Sequence, residues 1–131
     1  MVTVRDAFSG FSVDDIAAAR EFYGTKLGLP VQDEPMAGAL QLTLPSGQAV
    51  FVYPKPDHTP ATFTILNLVV EDIDAAVDEL NAAGVVTKIY TEGDAFGTDE
   101  RGIARGSATG MGPDIAWFRD PAGNVLSVLV T

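Results

Sequence analysis

Val13-Asp14-Asp15-Ile16-Ala17-Ala18-Ala19 returns 57 positions later as Val70-Glu71-Asp72-Ile73-Asp74-Ala75-Ala76. Each copy stands between a stretch of alternating apolar residues and an amphipathic run that ends at a glycine, Gly28 in the first and Gly84 in the second. Repetition at this spacing in 131 residues denotes two copies of one supersecondary unit, each too small to bury a core alone. The periodicity around each copy says which unit it is. Asp6 to Val13 alternates as a strand, and Asp14 or Asp15 is placed to cap a helix over Ile16 to Leu27. Ile16, Ala19, Phe22, Tyr23 and Leu27 form the apolar stripe of that helix, and Gly28 with Pro30 stops it. Val31 to Glu34, Ala39 to Leu44 and Ala49 to Tyr53 then read as short strands, the last two joined through Pro45-Ser46-Gly47.

The second half follows the same order. Thr62 to Val70 reads as a strand, and Asp72 to Ala83 as a helix presenting Ile73, Ala76, Val77 and Leu80 on one face. Val85 to Thr91 is the next expected strand, and Asp114 to Arg119 with Val125 to Val130 form a closing hairpin around Asp120-Pro121-Ala122-Gly123-Asn124. Pro54 to Pro60, with three prolines and the sole histidine, His58, reads as a linker. The expected fold is α+β, a single domain over 1–131 made of two βαβββ modules in tandem. Module 1 covers about 1–55, the linker about 54–61 and module 2 about 62–131. The two closing hairpins correspond at an offset of 76, so the second copy carries about 19 additional residues. Gly93 to Gly112, with six glycines in 20 residues, is the expected place for them, and a loop of that length is commonly functional.

Composition narrows the function. A hydrophobic content of 47% with no cysteine describes a globular chain without disulfides, thiolate nucleophile or Cys-held metal. No run approaches the roughly 20 apolar residues of a membrane span, and no basic-then-apolar leader opens the sequence, so a cytoplasmic location is expected. The net charge of −10 lacks the basic footprint that nucleic acid requires. It favours a cationic ligand, although charge of this kind also serves solubility alone.

Phe22-Tyr23-Gly24-Thr25-Lys26-Leu27-Gly28-Leu29 resembles the FYxxxLG phrase of the glyoxalase / bleomycin-resistance / extradiol dioxygenase (vicinal oxygen chelate) superfamily. Phe118-Arg119-Asp120-Pro121-Ala122-Gly123-Asn124 resembles its FRDPDGN turn, and together the likeness spans nearly the whole chain. The resemblance implies that the two modules curl into an open barrel of mixed sheet with the helices outside. Metal enzymes of this family place a His, Gln or Glu ligand on the first and last strand of each module. Counting back from Asp15 and Asp72, the matching first-strand positions hold Phe8 and Ile65; after Gln48 and Asn124, the last-strand positions hold Phe51 and Ser127. Three of these have no donor atom and a serine hydroxyl is a weak ligand, so no metal and no cofactor is expected. His58, in the linker, reads as a solvated loop residue.

Strand alternation sorts the remaining candidates. With Phe8 facing the cavity, Ser12, Gln41, Phe51, Tyr53, Ile65, Asn67 and Ser127 share its side, and Trp117 joins them or the opposite face. The lining is aromatic and aliphatic with a few hydrogen-bonding groups, suited to a small organic ligand, cationic or aromatic; the alternative is that these residues fill the barrel as core. Phe96, Arg101 and Arg105 of the long loop are candidates for a lid, or belong to a solvated flap. No catalytic residue emerges, since neither a Ser-His-Asp nor a Cys-His set is available, and the acidic pairs at the helix starts read as caps. The expected function is metal-independent binding or sequestration of a small molecule by a homodimer, as the bleomycin-resistance likeness implies. A metal-dependent lyase, isomerase or dioxygenase with non-standard ligands, and a structural or regulatory domain with a filled barrel, are the alternatives.

Overall fold

A computed structural model of the chain describes residues 1–36, 38–91 and 97–131. They divide into two compact units, Met1–Thr59 and Pro60–Thr131. The first contains β1 (Ser9–Val13), α1 (Ile16–Arg20) continued by a π-helical segment over Glu21–Lys26, β2 (Val31–Asp33), β3 (Leu40–Thr43) and β4 (Ala49–Pro54). The second contains β5 (Thr64–Val69), α2 (Ile73–Ala82), β6 (Ile103–Arg105), α3 (Gly106–Thr109), β7 (Asp114–Arg119) and β8 (Val125–Val130). Each unit holds one four-stranded mixed sheet, in the orders β1-β4-β3-β2 and β5-β8-β7-β6, with the first and last strands parallel and the others antiparallel. The fold is α+β, and both units carry the same topology, as the sequence repeat requires.

The repeated phrase is a strand-to-helix joint with one backbone conformation in both copies. Asp15 (φ −138°, ψ 106°) accepts a hydrogen bond from the Ala18 N–H at 3.1 Å, and Asp72 (φ −137°, ψ 111°) accepts one from Ala75 at 3.1 Å. Each carboxylate satisfies one of the helix's open N–H groups. Gly28 stands thirteen residues past its cap and Gly84 twelve, both at positive φ. The extra residue of the first copy is absorbed by the π-helical turn, in which the Leu27 N–H reaches back to the Phe22 carbonyl at 2.9 Å.

Alternation places each core on the helix side of its sheet. In the first unit Val13, Leu40, Leu42, Val50 and Val52 are buried with Ala19, Phe22 and Tyr23 of the helix. Phe11 joins them, its ring 5.6 Å from that of Tyr23. In the second, Ile103, Ala116, Phe118, Leu126 and Val128 are buried with Ile73, Val77 and Leu80 of α2. The Asp120 turn is built as the sequence suggests. Asp120 Oδ1 accepts from the N–H groups of Ala122 and Asn124 at 3.0 and 2.8 Å, and Asn124 Oδ1 accepts from Ala61 N–H at 3.0 Å.

Three expectations are corrected. Val85 to Thr91 joins no ladder, and the second strand of the second unit is Ile103–Arg105, inside the glycine-rich stretch. The added residues therefore enter between α2 and β6. Val85 and Thr87 are buried while Val86 is exposed, which imitates a strand in sequence. The segment is instead held by side chains: Thr87 Oγ1 donates to the Arg101 carbonyl at 2.8 Å and Lys88 Nζ to Thr98 Oγ1 at 2.7 Å. The first strand begins at Ser9 rather than Asp6, because its partner β4 begins at Ala49 and the ladder opens with Ser9 opposite Val50. Ile65 interrupts the β5–β8 pairing. Thr64 pairs with Val125 and Leu66 with Leu126, leaving Ile65 as the bulged residue between them.

Candidate functional site

The sheet face opposite α1 carries the first group of candidates. Gln41 stands beside Phe51 in the β3–β4 register, and Ser12 beside Tyr53 in the β1–β4 register. Phe51 and Tyr53 project two residues apart from β4 and stack at 5.8 Å between ring centroids with 23° between planes. Phe8 lies just outside the ladder, 73% exposed, and its ring meets Phe51 edge-on at 6.3 Å and 74°. Phe8, Phe51 and Gln41 line a cavity of about 670 Å³ that also touches Asp6, Glu34 and Met36. Its size is that of a site for a small organic molecule.

At the other end of the same face Ser12 Oγ shares a 2.7 Å hydrogen bond with His58 Nδ1. His58 is half-buried, not the solvated loop residue its linker position suggests, because the chain after β4 folds back and brings the imidazole to β1. Nothing in sequence spacing pairs two residues 46 positions apart. Asp6 was legible in principle, since it continues the alternation Asp6, Phe8, Gly10, Ser12; Glu34 enters the cavity only through the turn that leads from β2 to β3.

The second unit gathers Asn67, Ser127 and Trp117 on the face opposite α2. Asn67 and Trp117 flank Ser127 in the register, and Ser127 Oγ donates to Asn67 Oδ1 at 2.6 Å. Trp117 is thereby assigned to the face away from the core, where Tyr90 meets it edge-on at 5.4 Å. Trp117 and Ile115 border a second cavity of about 590 Å³ formed by β6, α3 and β7.

The loop arginines have partners on α2. Arg105 reaches Asp74 through two nitrogens at 2.7 and 3.0 Å, and Arg101 reaches Asp74 at 2.7 Å and also Asp78. The hydrogen bond from Arg105, with Arg101 adding to it, holds the Asp74 carboxyl below its ordinary range. Ser107 does the same for Asp114, through its hydroxyl and its N–H. This network ties the segment after Gly97 to α2, and Arg105 also borders the second cavity. Phe96 lies outside the described residues.

A divalent ion would need donors at Phe8, Phe51, Ile65 and Ser127. The first two are hydrocarbon rings, the third is a bulged aliphatic residue, and the Ser127 hydroxyl is fully buried and committed to Asn67. Among the described residues no three His, Asp or Glu side chains group in a way that could hold a metal ion. The residues present do not fit the family's metal centre.

The model of the Glyoxalase/Bleomycin resistance protein/Dioxygenase superfamily matches residues 7–128, and the chain belongs to that superfamily. Among curated proteins none matches. Solved structures show the same fold at low identity. An antibiotic-binding protein, TnmS3, from Streptomyces sp. CB03234 aligns with a TM-score of 0.67 at 22% identity, over 99% of this chain and 98% of that one. A glyoxalase family protein from Bacillus anthracis gives 0.66 at 18%, over 100% and 99%. The fosfomycin resistance protein FosX from Listeria monocytogenes gives 0.67 at 10%, over 100% and 95%. No helix among the described residues is long and apolar enough to cross a membrane.

Proposed function

We propose that the protein binds and sequesters a small organic molecule, aromatic or cationic, without a metal ion, acting in the cytoplasm as a homodimer of single-domain chains. The observation that carries this reading is the pair Phe8 and Phe51. They stand where a metal enzyme of the superfamily needs ligands, and they border a cavity of about 670 Å³. Phe8 and Met36 are both exposed on the lining of this one concavity, and apolar surface gathered in this way favours a binding role over scattered exposure. Gln41, on the same cavity lining, can orient a ligand by hydrogen bonding. That an antibiotic-binding protein and a fosfomycin resistance protein share the fold supports a small-molecule ligand.

Two measurements test the reading. Purified protein titrated with a panel of hydrophobic and cationic metabolites and antibiotics is expected to show saturable binding, followed by calorimetry. Elemental analysis after expression with zinc, nickel, manganese and iron is expected to find no stoichiometric metal. Bound metal at one equivalent would return the protein to the metal-dependent enzymes of the family. Light scattering tests the dimer.

A further inference from the structure

The cavity of the first unit carries more than aromatic walls. Among the described residues, the charged side chains on its lining are the carboxylates Asp6 and Glu34, with no lysine or arginine beside them. Phe8 and Phe51 meet edge to face there, so two aromatic surfaces stand at right angles to one another within a concavity that also bears negative charge. A cation is attracted to the electron-rich face of such rings, and more strongly where water is partly excluded. Two carboxylates on one concavity raise the local concentration of cations there, and the charge of −10 on the whole chain adds to the potential. An anionic ligand meets repulsion from every one of these groups, and a neutral one gains only the apolar contact.

We propose that this cavity selects organic cations, with Asp6 and Glu34 as the residues that set the charge preference and Phe8 and Phe51 as the surfaces that receive the cationic centre. The proposal rests on the small-molecule reading above and narrows it. The positions that hold a cationic metal in metal enzymes of the superfamily would here receive the positive charge of the ligand itself. Glu34 follows directly on β2, and Met36 supplies a flexible apolar side wall to the same recess.

The test uses three probes with one aromatic body and different charge: 2-phenylethylammonium, 2-phenylethanol and 3-phenylpropanoate, each titrated into the full chain by calorimetry and by amide chemical shifts. The ammonium is expected to bind about tenfold more tightly than the alcohol, and the carboxylate more weakly than either. The preference should shrink as salt rises. The double variant Asp6→Asn, Glu34→Gln should bring ammonium and alcohol to equal affinity. Both positions lie at the surface, so an unchanged melting temperature will show that the variant is folded. Phe51→Ala should weaken the ammonium more than the alcohol. Equal binding of ammonium and alcohol by the native chain, or an ammonium affinity unmoved by the double variant, overturns the cation assignment and leaves a small-molecule site standing. No binding of the ammonium overturns it too. The wider ligand panel then decides separately whether the binding reading survives.

Discussion

Ser12 Oγ lies 2.7 Å from His58 Nδ1, a hydrogen bond that fastens the last residues of the first unit to its first strand. Replacing Ser12 by alanine removes one partner of a half-buried imidazole. The expected cost is about 1 kcal/mol in urea unfolding, the usual worth of one such bond. Faster amide exchange in the segment 55–59 should accompany it, while the backbone bond from Lys55 N–H to the Val13 carbonyl at 3.0 Å still ties the start of that segment to β1.

Asp74 joins α2 to the glycine-rich segment through Arg101 and Arg105. Its pKa is lowered in the folded protein, first by the Arg105 hydrogen bond, so its contribution is present above the unfolded carboxylate value and is lost as pH falls through the folded one. Asp74→Asn should therefore lower the melting temperature at neutral pH and have no effect in strong acid. Because the pair is solvent-exposed, salt near 1 M should also abolish most of the difference. A difference that persists at low pH would show that the ion pair is not its origin.

Gly102 adopts φ +87°, and a Cβ there would fall 2.0 Å from the Thr87 carbonyl oxygen. Both the left-handed backbone and the contact exclude a side chain. Gly102→Ala should cost about 2 kcal/mol or more, read from the denaturation midpoint. The loss should be concentrated in the packing of residues 85–88 against 98–103, visible as exchange of those amides before the core strands open.

Asp120 is buried and its Oδ1 accepts two backbone N–H groups at the closing hairpin, while Asn124 Nδ2 donates to Oδ2 at 3.1 Å. Asp120→Ala leaves those donors without their acceptor in a place water does not reach. A loss of about 2–3 kcal/mol is expected, measured by thermal and urea unfolding. Asp120→Asn, which keeps one acceptor oxygen, should recover part of it.

Part of the first cavity's lining was legible because strand parity is local information. Phe8, Gln41 and Phe51 follow from alternation and a count back from a helix cap, and the structure brings all three to one cavity. Ile65 shares the same parity but sits at a bulge, where one extra residue shifts the register. Sequence alternation cannot see such a shift, because it depends on which partner residue each strand meets. Asp6 and Glu34 reach the cavity from outside the ladder: Asp6 continues the parity of Phe8 ahead of β1, while Glu34 follows β2 in a turn that no periodicity places.

The sequence by itself determined the duplicated strand-to-helix joint, an acidic cap at each helix start, the closing hairpin with its Asp120 turn and the lack of the usual His, Gln or Glu at the family's ligand positions. Each of these is a matter of residue type within a few positions. Only the tertiary structure decided that Ile103–Arg105, and not Val85 to Thr91, completes the second sheet. It also decided that Trp117 faces away from the core, that His58 closes on Ser12, and that two carboxylates share a recess with two aromatic rings. Those outcomes turn on pairings between residues far apart in the chain. Several local arrangements satisfy the same side chains, and long-range hydrogen bonds and burial select among them.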